Sequence, residues 1–506
     1  MNENLYYRFS QHFPDGDSTL LRAENGDQVS YSNLENESAR YARLLSDLGA
    51  VPGDRITVQI EKSIEALWLY LACLRGGFVF HPLNTAYQIN ELSYFVENAE
   101  PRIIICDPQF EQIMKQLGEG VDVIKVLTLD QMGCGTLIEL LKSTSANFDT
   151  HISTKEDTAA LLYSSGTTGV PKGIVLSHGN LSSNAETLVS AWDFTQKDCL
   201  LHALQIFHVH GLFVGIGCVL MSGAKMHWLN GFNVKEVLKG LPLCSVMMGV
   251  PTFYTRLLAS DGFDRDLCRQ TRLFISGSAP LLEDTFKAFE KVTSHRILER
   301  YGMTETNMLT SNPLNGERLP GSVGHPLPGV QLRIVDESGT ELNVGEIGAV
   351  QVKGPNVFKG YWRLPEKTKE DFTDDDFFNT GDQGQFNDQG YLAIVGREKD
   401  MVISGGLNIY PREIELLIDD LDGVRESAVI GVPHKDFGEG LVAVVVEKKP
   451  GKLNQEDVLN WVKCNLANYK VPKAIIFVDE LPRNTMGKVQ KKNLRARYGE
   501  LLNNHI

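Results

Sequence analysis

The stretch YSSGTTGVPKG, Tyr163 to Gly173, places three glycines, two serines, two threonines and a lysine directly after the apolar run AALL. A glycine-rich loop opening off a strand lets backbone N–H groups close around phosphate oxygens, because a Cβ would hold the backbone away. Phosphate chemistry is therefore the first expectation. The spacing is not that of a P-loop, since Gly173 rather than a hydroxyl follows Lys172, and Pro171 stands where the second glycine belongs. A solvated linker between two strands is the competing reading. It fits poorly with so many small and hydroxylated residues beside a lysine in an apolar region. Four further clusters carry side chains that could do chemistry: ISGSAPL (Ile275 to Leu281), ERYGMTET (Glu299 to Thr306), NTGDQG (Asn379 to Gly384) with GREKD (Gly396 to Asp400) close behind, and PRNTMGKVQ (Pro482 to Gln490).

Holding these clusters in register takes a large scaffold. From Asp54 the sequence reads strand (RITVQI), helix (SIEALWLYLACLRGG), strand (FVFHPL), helix (NELSYFVENAE) and strand (RIIICD). The alternation continues through KVLTL, LLHAL, KMHWL, SVMMGV and RLFISG, and Pro251 opens PTFYTRLL, where proline suits the first helical turn. Strands alternating with crossover helices predict an α/β class with parallel sheets covered on both faces. From about Val323 the texture changes to short alternating strands (VQLRIVD, GAVQVKG, GYLAIVG), which predict a β-rich subdomain. Beyond GREKD come a glycine turn (SGGLNIYP), the helices REIELLID and EDVLNWVKCNL, and the strands SAVIGV, LVAVVVEKK and AIIFVD. These predict a small α+β C-terminal domain of roughly one hundred residues, a common domain size.

A chain of 506 residues exceeds one compact core, and 42% hydrophobic with 22% charged residues is ordinary for a globular protein. The 49 Lys and Arg against 64 Asp and Glu give a net charge of −15. That field repels polyanions and argues against nucleic acid or an anionic membrane surface as partner, so any anionic ligand must be held by local positive charge. The 8 cysteines are scattered without C-x-x-C pairs or Cys/His ligand spacing, as expected of free thiols in a reducing compartment. The start MNENLYYRFS has no apolar core of a leader, GLFVGIGCVLM is too short to span a bilayer, and NNHI is no retention signal. A cytoplasmic enzyme without an obligate protein partner is the expectation.

In order and spacing, the five clusters resemble the adenylate-forming superfamily of acyl-CoA synthetases, nonribosomal adenylation domains and firefly-type luciferases, colinearly from about residue 30 to residue 492. The resemblance implies two steps. A carboxylate attacks the α-phosphate of ATP to give an acyl-adenylate and pyrophosphate, and the thiol of coenzyme A then displaces AMP. It implies that Ser164, Ser165, Gly166, Thr167, Thr168, Gly169 and Lys172 hold the β- and γ-phosphates. Ser278, Ala279 and Pro280, with Glu299, Arg300, Tyr301, Gly302, Met303 and Thr304, would surround the nucleotide. Glu305 and Thr167 would hold Mg²⁺, a hard cation suited to a carboxylate beside phosphate oxygens, and Thr304 would reach the α-phosphate. Asp382 and Arg397 would bind the ribose, and Lys488 would stabilise the charge built up at the α-phosphate. The resemblance further implies an ATP- and acyl-binding domain over 1–396, a hinge at 397–400 turning about Lys399, and a mobile lid over 401–506. The lid carries Lys488 and a coenzyme A wall at Gly405, Gly406 and Leu407.

FHVHG supplies His208, which in these enzymes contacts the acyl carboxylate; a metal pair with His210 lacks a nearby carboxylate or thiol partner. The stretches GVPTFYTRLL, RLFISGSAPL and ERYGMTETNM resemble malonyl-CoA synthetases. There an arginine, here Arg256, pairs with the distal carboxylate of malonate, helped by hydroxyls at the positions of Ser276 and Ser278. Methylmalonate stays open, because one methyl shifts pocket free energy by only about 1–3 kcal/mol. A module loading a carrier protein would need a carrier domain or docking segment after the lysine motif, and the sequence stops at Ile506. A luciferase-like oxygenase would share the ATP residues, and a dead nucleotide binder would not need Glu305, Asp382, Arg397 and Lys488 together.

Overall fold

The helix Ile64–Gly76 is apolar on almost every side, and its residues from Ala66 to Leu74 are all buried. A helix of that pattern must be covered all round. The Ser63 hydroxyl caps it by accepting the Ala66 N–H, and Gly77 ends it with φ 70°, a left-handed conformation that glycine adopts without strain. It lies in the interior of the large N-terminal part, packed against the helix Tyr31–Asp47. The computed structural model describes residues 2–15, 17–164, 171–397, 400–404, 407–434, 437–466, 468–484 and 487–502.

Among the described residues, two large sheets organise that part. One runs, in spatial order, His325–Pro326, Asn307–Ser311, Leu298–Met303, Leu273–Ser276, Val246–Gly249, Cys199–His202, Lys225–Trp228, Thr19–Ala23 and Gln28–Ser30. The other runs Gly360–Tyr361, Lys172–Ser177, Thr158–Ser164, Val79–Pro82, Arg55–Gln59, Ile103–Cys106 and Lys125–Thr128. The strands of the alternating βα stretch pair parallel, as expected. The sheets are nonetheless mixed. Thr158–Ser164 pairs antiparallel with Lys172–Ser177, and Leu298–Met303 with Asn307–Ser311, because each connection is too short to carry a parallel crossover.

The strands Gln331–Val335, Gly348–Lys353, Phe378–Phe386 and Leu392–Arg397 form the expected β-rich subdomain, an antiparallel sheet that ends at Arg397. A separate C-terminal sheet begins at Val402–Ser404 and centres on the antiparallel pair Val424–His434 and Gly438–Glu447, with Ala474–Phe477 parallel to the latter. Its apolar runs are buried on both faces: Leu441, Ala443 and Val445 join one cluster, while Val442, Val444 and Val446 join another. The helices Pro411–Asp419 and Gln455–Asn465 contribute Ile414, Ile418, Val458 and Val462 to the first cluster, and Lys491–Tyr498 contributes Leu494 to the second. No helix among the described residues is long and apolar enough to cross a membrane.

Register sets the cleft. Gly249 lies opposite Ser276, and Ser276 opposite Glu299, so the C-terminal ends of Val246–Gly249 and Leu273–Ser276 finish in one row beside the start of Leu298–Met303, which runs on past them. In open α/β sheets ligands bind beyond such ends.

Candidate active site

On the nucleotide side, Ser165, Gly166, Thr167, Thr168 and Gly169 lie outside the described residues, but both shoulders of the loop are described. The Ser164 hydroxyl donates to Glu305 Oε1 at 3.2 Å. Lys172 Nζ lies 3.6 Å from Asp371 Oδ2 and 4.6 Å from the centre of the Tyr361 ring. The Tyr94 hydroxyl donates to the Pro171 carbonyl at 2.6 Å and pins the loop's far end. Glu305 occupies the tight turn between Leu298–Met303 and Asn307–Ser311, with Thr304 half-buried beside it. A Cβ on Gly302 would fall 2.0 Å from the Asn307 carbonyl oxygen, so this close approach requires glycine. Burial raises the Glu305 pKa, against the pull of Arg397, the Ser164 hydroxyl and Lys172.

Asp382 and Arg397 are cross-strand partners, which explains why two residues so far apart in sequence meet. Arg397 Nε lies 2.9 Å from Asp382 Oδ1, and the Tyr301 hydroxyl donates to Oδ2 at 2.5 Å. Met303 ends the strand that carries Tyr301, while Ala279 and Pro280 follow the strand Leu273–Ser276.

The C-terminal domain reaches this group through a tight loop in which the Lys488 N–H donates to Asn484 Oδ1 and the Asn484 N–H to the Lys488 carbonyl, both at 2.9 Å. Gly487, at φ 75°, comes so near the helix Pro251–Leu258 that a Cβ there would lie 3.4 Å from Thr252 Oγ1. Lys488 is an exposed residue, and the protein groups that surround its ammonium partly desolvate it. That desolvation brings its pKa down to about 8, helped by Arg397 and Arg300 and opposed by Asp382 and Glu305. The lowered pKa sets the sign of a pH effect, because the charged form is lost as pH rises through about 8. ATP–pyrophosphate exchange by the free enzyme, read as kcat/KM, is expected to decline on that alkaline limb. Lys488→Arg stays charged and should be slower but lack the limb; an unchanged limb would assign it to another group.

On the other side of the row lies a second group of buried polar atoms. Arg300 is 3% exposed, and its Nε and Nη2 have no hydrogen-bond partner among the described residues. Its guanidinium lies against Gly277, where a Cβ would come within 2.4 Å of Cζ. Ser276 Oγ and His210 Nε2 are likewise buried without partners. Ser278 takes φ 71° in the same turn, and its hydroxyl lies 3.3 Å from His210 Nδ1. The His210 N–H donates to His208 Nδ1 at 3.3 Å. Burial, with Lys488 and Arg300 nearby, brings His208 down to about 3, so it is neutral at physiological pH. Burial pushes Glu299 up to about 7; its Oε1 accepts the Leu281 N–H at 3.1 Å. Arg300 comes down to about 10 and remains charged. A buried, under-paired guanidinium beside free hydroxyl and imidazole groups favours an anion.

The sequence grouped Arg300 with the nucleotide residues and gave the anion to Arg256. In the structure Arg256 is exposed on the last turn of Pro251–Leu258, without an ion pair among the described residues, and Arg300 is the buried cation. His210 entered the sequence reading only as half of a metal pair; it forms part of this polar cluster instead. The available signal was the charged pair Glu299 and Arg300 in ILERYGM, a strand whose other residues are apolar, aromatic or glycine. Leu407 begins a short strand paired with Val402–Ser404. Gly405, Gly406 and the hinge residue Lys399 lie outside the described residues.

The AMP-binding enzyme profile matches residues 8–362, and the AMP-binding enzyme C-terminal domain profile matches 413–488. A malonate–CoA ligase of Arabidopsis thaliana is 33% identical over 540 residues, spanning 96% of this chain and 87% of its own. A long-chain-fatty-acid–CoA ligase of Bacillus subtilis is 31% identical over 517 residues, spanning 95% and 92%. ATP-bound MatB of Rhodopseudomonas palustris shares 50% identity across 99% of this chain and 100% of its own, with a TM-score of 0.97; the apo form of that protein gives 0.86. With both profiles matched in chain order and the fold shared from end to end, the chain belongs to the AMP-binding enzyme family.

Proposed function

We propose that this enzyme ligates malonate to coenzyme A through a malonyl-adenylate, releasing pyrophosphate and then AMP. The observation that carries the choice of acid is Arg300, charged, buried and holding two unpaired N–H donors beside Ser276 and His210. An apolar acyl chain would leave that charge without a partner, whereas a second carboxylate pairs with it. Malonate–CoA ligases among the relatives support the same reading.

In this reading the distal carboxylate binds Arg300, with Arg256, Ser276 and Ser278 assisting, and neutral His208 orients the reacting carboxylate. Asp382 and Arg397 hold the ribose; Ser165 to Gly169 and Lys172 hold the outer phosphates. Lys488 stabilises the charge gathered on the attacking and bridging oxygens. Glu305 fits a magnesium ion delivered with ATP: its buried carboxylate accepts from the Ser164 hydroxyl, and the burial that disfavours its charge, only partly offset by Arg397 and Lys172, would be relieved by a hard cation beside it. Thr167 would complete that site, and the bound ion neutralises phosphate charge. The lid then turns about Lys399, within 397–400 and between the domains 1–396 and 401–506, and brings Gly405, Gly406 and Leu407 to the thioester step. A reducing cytoplasm suits the eight unpaired cysteines.

Pyrophosphate release over acetate, propionate, malonate, methylmalonate, succinate and octanoate tests the assignment. Malonate is expected to give the highest kcat/KM, with methylmalonate within about 200-fold, the discrimination one methyl supplies. A preference for octanoate or acetate would remove malonate and leave only an acyl-CoA ligase.

A further inference from the structure

Lys62 follows the strand Arg55–Gln59 and is 2% exposed; burial pulls its pKa well below the usual lysine value, and its amino head meets carbonyls and an imidazole instead of a carboxylate. Nζ lies 2.8 Å from His202 Nδ1, 2.8 Å from the His202 carbonyl and 2.5 Å from the Leu229 carbonyl. It also stands 4.1 Å from the centre of the Trp228 ring, on which His202 is stacked at 5.0 Å. Three acceptors match the three protons of an ammonium. The tautomer of His202 follows from its other nitrogen. Nε2 faces the Gly211 carbonyl at 2.9 Å, an acceptor only, so Nε2 carries the proton and Nδ1 presents its lone pair to Lys62.

Gly211 belongs to the π-helical turn His210–Gly215, an unusual geometry that needs outside support. A Cβ on Gly211 would fall 2.1 Å from the Gln205 carbonyl oxygen, and one on Gly215 3.1 Å from the His202 ring, so imidazole and turn are packed tightly. The residue before Gly211 is His210, which contacts Ser278 and donates its N–H to His208. A continuous line therefore runs from Lys62 through His202 and the Gly211 carbonyl to the imidazoles of the acid pocket.

We propose that Lys62 and His202 are positioning residues for acid binding: they lock the first π-helical turn so that His208 and His210 face the substrate acid beside Arg300. The inference rests on reading that pocket as the acid site, and it predicts an effect on the acid that the nucleotide does not share. The test uses the full-length enzyme and whichever acid the wild type turns over best, so a wrong choice of malonate would surface in the wild type and leave this comparison intact. In His202→Asn the amide reaches the Nδ1 position but not Gly211, while His202→Gln places an N–H donor near the old Nε2 position. Losing the bond to Gly211 in His202→Asn, or its support in Lys62→Met, should raise KM for the acid by about tenfold or more, with KM for ATP within about twofold. His202→Gln should keep the acid KM within about threefold of wild type. Unchanged acid KM in His202→Asn, or acid and ATP KM rising together in both histidine variants, would overturn the proposal and leave the pair a purely structural role. If Lys62→Met does not fold, the two histidine variants decide.

Discussion

Lys488→Ala is expected to slow malonyl-adenylate formation by about a hundredfold or more, the loss typical of removing one preorganised charge donor at a developing oxyanion. Thioester formation from supplied malonyl-adenylate and coenzyme A should stay near the wild-type rate. The asymmetry follows from where the lysine stands. Its ammonium shares the electrostatic field of Asp382, Glu305, Arg397 and Arg300, and its loop reaches the N-terminal part through Gly487 and Thr252. The structure superposes more closely on the ATP-bound relative than on its apo form, 0.97 against 0.86, which suits the proposed adenylating step. Once AMP is the leaving group, the proposed rotation carries the lysine away and its charge no longer matters. ATP–pyrophosphate exchange measures the first half and thiol consumption with synthetic adenylate the second. Equal losses in both would mean that Lys488 holds the lid in place and takes no direct part in the charge build-up.

The scaffold was legible because apolar runs such as RIIICD and LVAVVVEKK leave little choice: buried on both faces, they must be interior strands. The reversal at Thr158–Ser164 was less legible, since a strand buried on both sides looks alike whether its neighbour runs with it or against it. The Asp382–Arg397 pair illustrates a site whose parts sequence motifs supplied and whose contact only cross-strand register explains. The proposed acid pocket was the least legible part. The place of Arg300 depends on the register of Ser276 against Glu299, which lays the guanidinium over the Cβ-free Gly277. No local pattern in ERYGMTET separates an arginine facing a nucleotide from one facing an acid. Arg256 shows the converse, a helix residue selected for its charge whose side chain the fold leaves exposed.

Arg300→Met is expected to lower kcat/KM for malonate at least about a hundredfold while leaving KM for ATP nearly unchanged. The two unpaired N–H groups of a 3% exposed guanidinium can each form a charge-assisted bond to the distal carboxylate. At about 1.5–3 kcal/mol per bond, two are worth roughly 3–6 kcal/mol. Arg256→Ala should cost less, about tenfold, because its side chain is solvated before the acid arrives and its pairing is screened. Lysine at position 300 should rescue only in part, since it brings a point charge without the planar fork. A second readout separates recognition from folding: removing a buried, under-paired charge should leave the thermal midpoint of the ligand-free enzyme unchanged or raised. Propionate, which carries a methyl where malonate has its distal carboxylate, provides the specificity control. Its kcat/KM should hold or rise in Arg300→Met, so the preference for malonate narrows from both directions. Should Arg300→Met keep wild-type malonate activity while Arg256→Ala loses it, the distal carboxylate sits at the helix Pro251–Leu258 and the buried arginine only braces the Gly277 turn.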